Sequence, residues 1–138
     1  MIALEFMDTN ILVYAYDDRN PEKSLAAQEL VDRAITGDIA ISTQVLAELS
    51  TTLLHKMSPK FSTKAVATIL VALAPIRLVT IARDIARRAL EAHASYGVRF
   101  YDGMILAAAE RGGCKRIWSE DFNSGQQYFG ISIQNPFA

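Results

Sequence analysis

The chain has 138 residues, 51% of them hydrophobic, and a formal net charge of -1, which suits one domain with a real core and excludes nucleic-acid binding through overall basicity. A lone cysteine, Cys114, excludes an internal disulfide, and without a CxxC or Cys/His pair there is no zinc framework. The longest apolar stretch, Ala65 to Ile76 between Lys64 and Arg77, falls short of the roughly 20 residues that span a bilayer. With no basic-then-apolar leader ahead of Glu5 and Asp8, a cytoplasmic protein without membrane contact is expected.

Ile2 to Met7 predicts the first strand, with Asp8 directly behind it. "NPEKSLAAQELVDRAITG" predicts a half-exposed helix with Asn20 as N-cap, Pro21 at the first helical position and Gly37 as stop. Ile39 to Ile41 predicts a strand, followed by "STQVLAELSTTLLHKM", a helix capped by Ser42 or Thr43 and closed by Ser58-Pro59. "FSTKAVATILVALAP" starts a helix at Ser62 and stops it at Pro75, and Arg77 to Val79 is the third strand. In "IARDIARRALEAHASYG" the period places Ile81, Ile85, Ala89 and Leu90 on one face and ends at Gly97. "YDGMILAAAERGG" predicts a helix from Asp102 to Gly112-Gly113, ahead of strands at Arg116 to Trp118 and Ile131 to Ile133. No repeat, linker or low-complexity tract divides the chain, so residues 1–138 read as a single domain. Strands alternating with helices of this length imply right-handed βαβ crossovers, and hence a three-layer α/β/α sandwich with a central, mostly parallel sheet.

Open sheets of this kind bind ligands at the carboxyl ends of their strands. Asp8 falls at the end of the first strand, Glu48 in the first turns of the helix after the second, Asp102 at the start of the helix before the fourth, and Asp121 just past the fourth. Singly, each has an ordinary explanation: aspartates cap helices, acids near helix N-termini are stabilised by the dipole, and Glu48 and Asp121 suit a solvated helix and a turn. Together they do not. Two unit charges about 4 Å apart repel by around 4 kcal/mol at an effective dielectric near 20, and the neighbours Thr9, Asn10, Gly103 and Ser119 bring no cation. Protons or a metal must relieve the cluster. Oxygen-only donors select Mg²⁺ or Mn²⁺, which hold one or two carboxylates, keep several waters and bridge to phosphate oxygens. Metal-assisted phosphodiester hydrolysis is the chemistry that follows.

Four segments, in order, carry a family resemblance: "MDTNILVYAYD", "ISTQVLAEL", "FYDGMILAAAERGGC" and "IWSEDFNSGQ". They resemble the four motifs of PIN-domain ribonucleases, and in particular VapC-type toxins of type II toxin-antitoxin pairs, over the whole chain. The resemblance implies a PIN-like fold and a Mg²⁺- or Mn²⁺-dependent endoribonuclease acting as a toxin. It implies Asp8 and Asp102 as the main metal ligands, Asp121 completing the site, Glu48 binding metal or orienting water, and Asn10 and Ser119 as hydrogen-bond partners behind them. The metal would lower the pKa of a bound water and neutralise charge in the transition state. One ion or two is left open. RNA is the implied substrate, and a homodimer is the implied assembly, with a small antitoxin inserting a basic side chain and an apolar helix. A catalytically weak RNA-binding or scaffold protein of the same fold is the alternative. A receiver-type phosphoacceptor would need a paired acid before the first strand's turn and a lysine after the last strand, and neither is in place.

Two acids depart from a simple pattern. Glu5 lies inside a strand that should be buried, so either it reaches a basic partner or the register is shifted. Glu120 competes with Asp121, and the family pattern, with its acid immediately before the aromatic, favours Asp121. His55 and His93 read as surface residues, and Cys114 as a small buried residue leading into a strand. Arg19, Lys23, Lys56, Lys60, Lys64 and Arg99 are either solvated charges or RNA contacts, and Tyr14, Tyr16, Phe100 and Tyr101 either core residues or base-stacking ones. The apolar helix from Ala65 to Ala74 reads as deeply buried or as a subunit interface.

Overall fold

A computed structural model describes residues 4–137. The first strand, β1 (Leu4–Met7), ends at Asp8, whose carboxylate accepts the Thr9 N–H at 2.7 Å and so caps a short helix, α1 (Thr9–Tyr14). Ile2 and Ala3, included in the predicted first strand, lie outside the described residues. Helix α2 (Pro21–Ile35) has the predicted Asn20 cap and Pro21 start, and Gly37, at φ 109°, turns the chain into β2 (Ile39–Ser42). Ser42 caps α3 (Thr43–His55) through its hydroxyl, as Ser62 caps α4 (Thr63–Ala72). β3 (Arg77–Val79) leads to α5 (Arg83–Tyr96), closed by left-handed Gly97 as predicted. Then come α6 (Phe100–Arg111), β4 (Cys114–Trp118), β5 (Gln127–Tyr128) and β6 (Ile131–Gln134).

The strands form one sheet in the order β3-β2-β1-β4-β6-β5. Every neighbouring pair is parallel except β5 with β6. The chain runs outward from β1 through β2 to β3, then returns to the other side of β1 with β4. The switch point therefore lies between β1 and β4, and the helices flank the sheet as the third and first layers of a sandwich. Phe6 and Met7 of β1, Ile39 and Ile41 of β2, Ile117 of β4 and Ile131 and Ile133 of β6 are buried, as continuous apolar strands covered on both faces should be.

Several boundaries and burials differ from expectation. Helix α6 begins at Phe100, so Asp102 stands inside its first turn rather than at its cap. The helix buried nearly all round is α6, where Gly103 to Ala109 are all buried, and not α4, where only Val66 is buried and Val71 is 74% exposed. Small side chains explain this: a Cβ on Gly103 would meet the Ala89 carbonyl oxygen of α5 at 2.7 Å, so glycine lets the two helices touch backbone to backbone. Leu90, grouped with the core face of α5 by periodicity, is 59% exposed. β5 is too short for its pattern to show.

Glu5 is satisfied by partners. Its carboxylate accepts from Arg33 Nη2 at 2.6 Å, Trp118 Nε1 at 2.9 Å and Arg116 Nη1 at 3.1 Å. The β1 register is therefore compatible with a carboxylate in the strand, because neighbouring β4 and nearby α2 supply its donors.

Candidate functional site

Asp8 is pulled into place by the sheet: its N–H donates to the Trp118 carbonyl at 2.9 Å, extending the β1–β4 pairing by one residue, and its side chain is only 5% exposed. Ser119, fully buried at the end of β4, donates its hydroxyl to Asp8 Oδ2 at 2.8 Å and accepts the Asp121 N–H at 3.1 Å. One serine thus fixes the carboxylate of β1 relative to the loop that presents Asp121. Glu48 reaches the same region from the second turn of α3, where its Oε1 accepts the Thr9 hydroxyl at 2.7 Å. Asp102 arrives from the first turn of α6.

All four predicted acids line one cavity of about 710 Å³ at the switch point. Their proximity appears in the proton affinities of Asp8 and Asp102. Burial, with the Asp121 and Glu48 charges adding to it, raises Asp8 to about 7 in spite of the Ser119 and Thr9 hydrogen bonds. Burial also raises Asp102, helped by Asp121 and Glu48 and opposed by Arg99. Cations stand at a remove: Arg19 is held by Asp17 through two hydrogen bonds at 2.8 and 2.9 Å, and Lys56 lines the wall without an ion pair among the described residues.

The acids share a cavity without closing into a cage. Among the described residues, no three carboxylates, imidazoles or thiols are close enough to ligate one ion together. The donor set fits a hard cation that takes one or two carboxylates and keeps its other positions for water and substrate, as Mg²⁺ and Mn²⁺ do.

Glu120 faces elsewhere. It accepts from Lys23 Nζ at 2.5 Å and the Tyr14 hydroxyl at 2.9 Å, and although burial pulls its carboxyl up, these partners hold it below its ordinary value. Asp121, adjacent in sequence, is the one that lines the cavity. Asn10 is also in the lining, where neither amide atom has a hydrogen-bond partner among the described residues, whereas Ser119 donates to Asp8. Gln44, Thr51 and Thr52 join the lining without having been singled out as site residues. Their signal was helical spacing: Gln44, Glu48, Thr51 and Thr52 fall on one face of α3, and Lys56 is its C-cap. His55 is exposed; His93, also exposed, uses Nδ1 to contact the Val98 carbonyl at 2.7 Å. Cys114 is buried at the start of β4.

The chain is thus an α/β domain with a mostly parallel sheet and an acidic cavity at its switch point. The PIN domain family model matches residues 6–126, and the chain belongs to that family. No curated protein sequence matches it. Among solved structures it is similar to a toxin-antitoxin complex from Klebsiella pneumoniae, at 19% identity and a TM-score of 0.70 over 96% of this chain and 97% of that one. Mycobacterium tuberculosis VapC20, a sarcin-ricin loop cleaving toxin, matches at 19% identity and a TM-score of 0.65 over 85% of this chain and 91% of that one. VapBC2 from Rickettsia felis, bound to a promoter DNA fragment, matches at 17% identity and a TM-score of 0.65 over 96% of this chain and 98% of that one. Among the described residues, no helix is long and apolar enough to cross a membrane.

Proposed function

We propose that this PIN domain is a Mg²⁺- or Mn²⁺-dependent endoribonuclease and the toxin of a toxin-antitoxin pair. The observation that carries the reading is the meeting of Asp8, Glu48, Asp102 and Asp121, from four separate segments, in one cavity where, among the described residues, no cation is paired directly to them. Asp8 and Asp102 would hold the ion, and Asp121 would complete the site through a water that the ion keeps. A bound ion would supply Lewis acidity at the scissile phosphate and ease deprotonation of the attacking water. Glu48, fixed by the Thr9 hydroxyl, would aim that water, and Ser119 keeps Asp8 and the Asp121 loop in register. The rim cation Lys56 would meet the RNA backbone.

The toxin role draws on the likeness to toxins that act with an antitoxin. An antitoxin and a second copy of the chain are the proposed partners. Support for a dimer comes from apolar residues left in solvent, Val71 on α4 and Leu78 on the edge strand β3. The competing reading, an RNA-binding scaffold of weak catalytic power, is favoured by the separation of the acids.

One assay decides between them. Structured RNA is incubated with wild type or Asp8→Asn, in Mn²⁺ or in chelator. Cutting confined to wild type with Mn²⁺ is the expected result. Equal cutting by Asp8→Asn, or cutting in chelator, would overturn the mechanism, and no cutting under any condition favours the scaffold.

A further inference from the structure

Two neighbours in the cavity wall take no part in holding a cation. Tyr101 immediately precedes Asp102, lines the cavity, and is nevertheless 65% exposed. Its ring meets that of Phe100 edge to face, with centroids 5.7 Å apart. The other aromatic in the lining is engaged: Tyr14 donates to Glu120 and packs edge-on against Phe137 at 5.0 Å.

Gln44 holds Tyr101 from behind. It is only 8% exposed, sits in the first turn of α3 one helical turn before Glu48, and donates Nε2 to the Tyr101 carbonyl at 3.1 Å. A carbonyl can only accept, so this bond fixes which way the amide faces. A buried side chain therefore pins the backbone beneath an exposed aromatic ring, beside an acid of the site. Pinning of this kind lowers the ordering cost of binding. Lys56 lies 12 residues beyond Gln44, about 18 Å along α3 at 1.5 Å per residue, with Glu48 between them. One wall of the cavity thus offers a flat apolar surface, then the acids, then a cation for a phosphate backbone.

Resting on the nuclease reading, we infer that Tyr101 stacks a nucleobase flanking the scissile phosphate, that Gln44 is the positioning residue for it, and that the substrate presents an unpaired base there. A base within a duplex has its faces covered by its neighbours, whereas a splayed or single-stranded base has a face to offer.

The test uses a short single-stranded RNA, the same RNA annealed to its complement, and a series with one abasic position each, all in Mn²⁺. Tyr101→Ala should raise KM roughly 5- to 160-fold, the range set by one base–aromatic stack, while Tyr101→Phe keeps the wild-type value. One abasic position should raise the wild-type KM by a similar factor and add little in Tyr101→Ala, because the two changes remove the same contact. Gln44→Met should raise KM less, and its effect should vanish in the Tyr101→Ala background. A merely structural role for either residue predicts no such coupling. Unchanged KM in Tyr101→Ala, additive abasic penalties, or equal cutting of duplex and single strand would overturn the inference while leaving the nuclease reading intact. If wild type cuts structured RNA but none of these RNAs, the inference alone falls; if it cuts neither, both fall.

Discussion

At Asp8, burial and charge act against two hydrogen bonds, and burial wins. With a native value near 7 against an ordinary 3.8, the folded chain keeps this proton through a pH range in which the unfolded chain has released it. Stability then depends on pH with the sign of protons bound unfolded minus folded, which is negative here. The Asp8 contribution is fully present below about pH 4, falls as pH rises, and levels off above about 7. In chelator, wild type should therefore lose melting temperature relative to Asp8→Asn between pH 4 and 7, a difference read directly from paired melts. Saturating Mn²⁺ should abolish the loss in wild type, since the cation takes the place of the proton. Parallel curves for the two proteins in chelator would show that Asp8 is not the strained acid.

The site depends on how closely elements approach as well as on which side chains they carry. Gly103 follows Asp102, and its missing Cβ is what lets α6 lie against α5. Gly103→Ala should cost about 1–3 kcal/mol, as overpacking does, and should also weaken cation binding, because a shift of α6 carries Asp102 with it. A melt and a Mn²⁺ titration of the same variant check both halves. The sequence showed most of the helix limits, because caps and stops are local chemistry: Asn20, Ser42, Ser62 and Gly97 act where their types suggest. It did not show which apolar helix would be central. That choice rests on close packing by Gly103 and the alanines of α6, a tertiary matter that overall hydrophobicity does not encode, so α4 was the more conspicuous candidate. The acids were legible because chain order and strand ends place them. The environment of Glu5, the diversion of Glu120 to Lys23 and the clamp of Gln44 on Tyr101 were not, since each joins residues far apart in sequence.

At the scale of the whole molecule, a chain of net charge -1 has brought Asp8, Glu48, Asp102 and Asp121 to one switch point and left apolar side chains on α4 and β3 in solvent. If those side chains meet a second copy, Val71→Glu should convert a dimer to monomer in sedimentation velocity without lowering the melting temperature of the monomer; an unchanged dimer would place the interface elsewhere. The cavity is the more central matter. Four carboxylates brought together from separate parts of the chain are expected to need a cation, and a cation bound only by the folded state at about 100 times its dissociation constant adds about 2.7 kcal/mol. The most direct test is calorimetric titration with Mn²⁺ of wild type, Asp8→Asn, Asp102→Asn and Glu120→Gln. Saturable binding in wild type and Glu120→Gln, with loss in both Asn variants, is the predicted result. No binding in wild type, or binding indifferent to Asp8 and Asp102, would contradict the account.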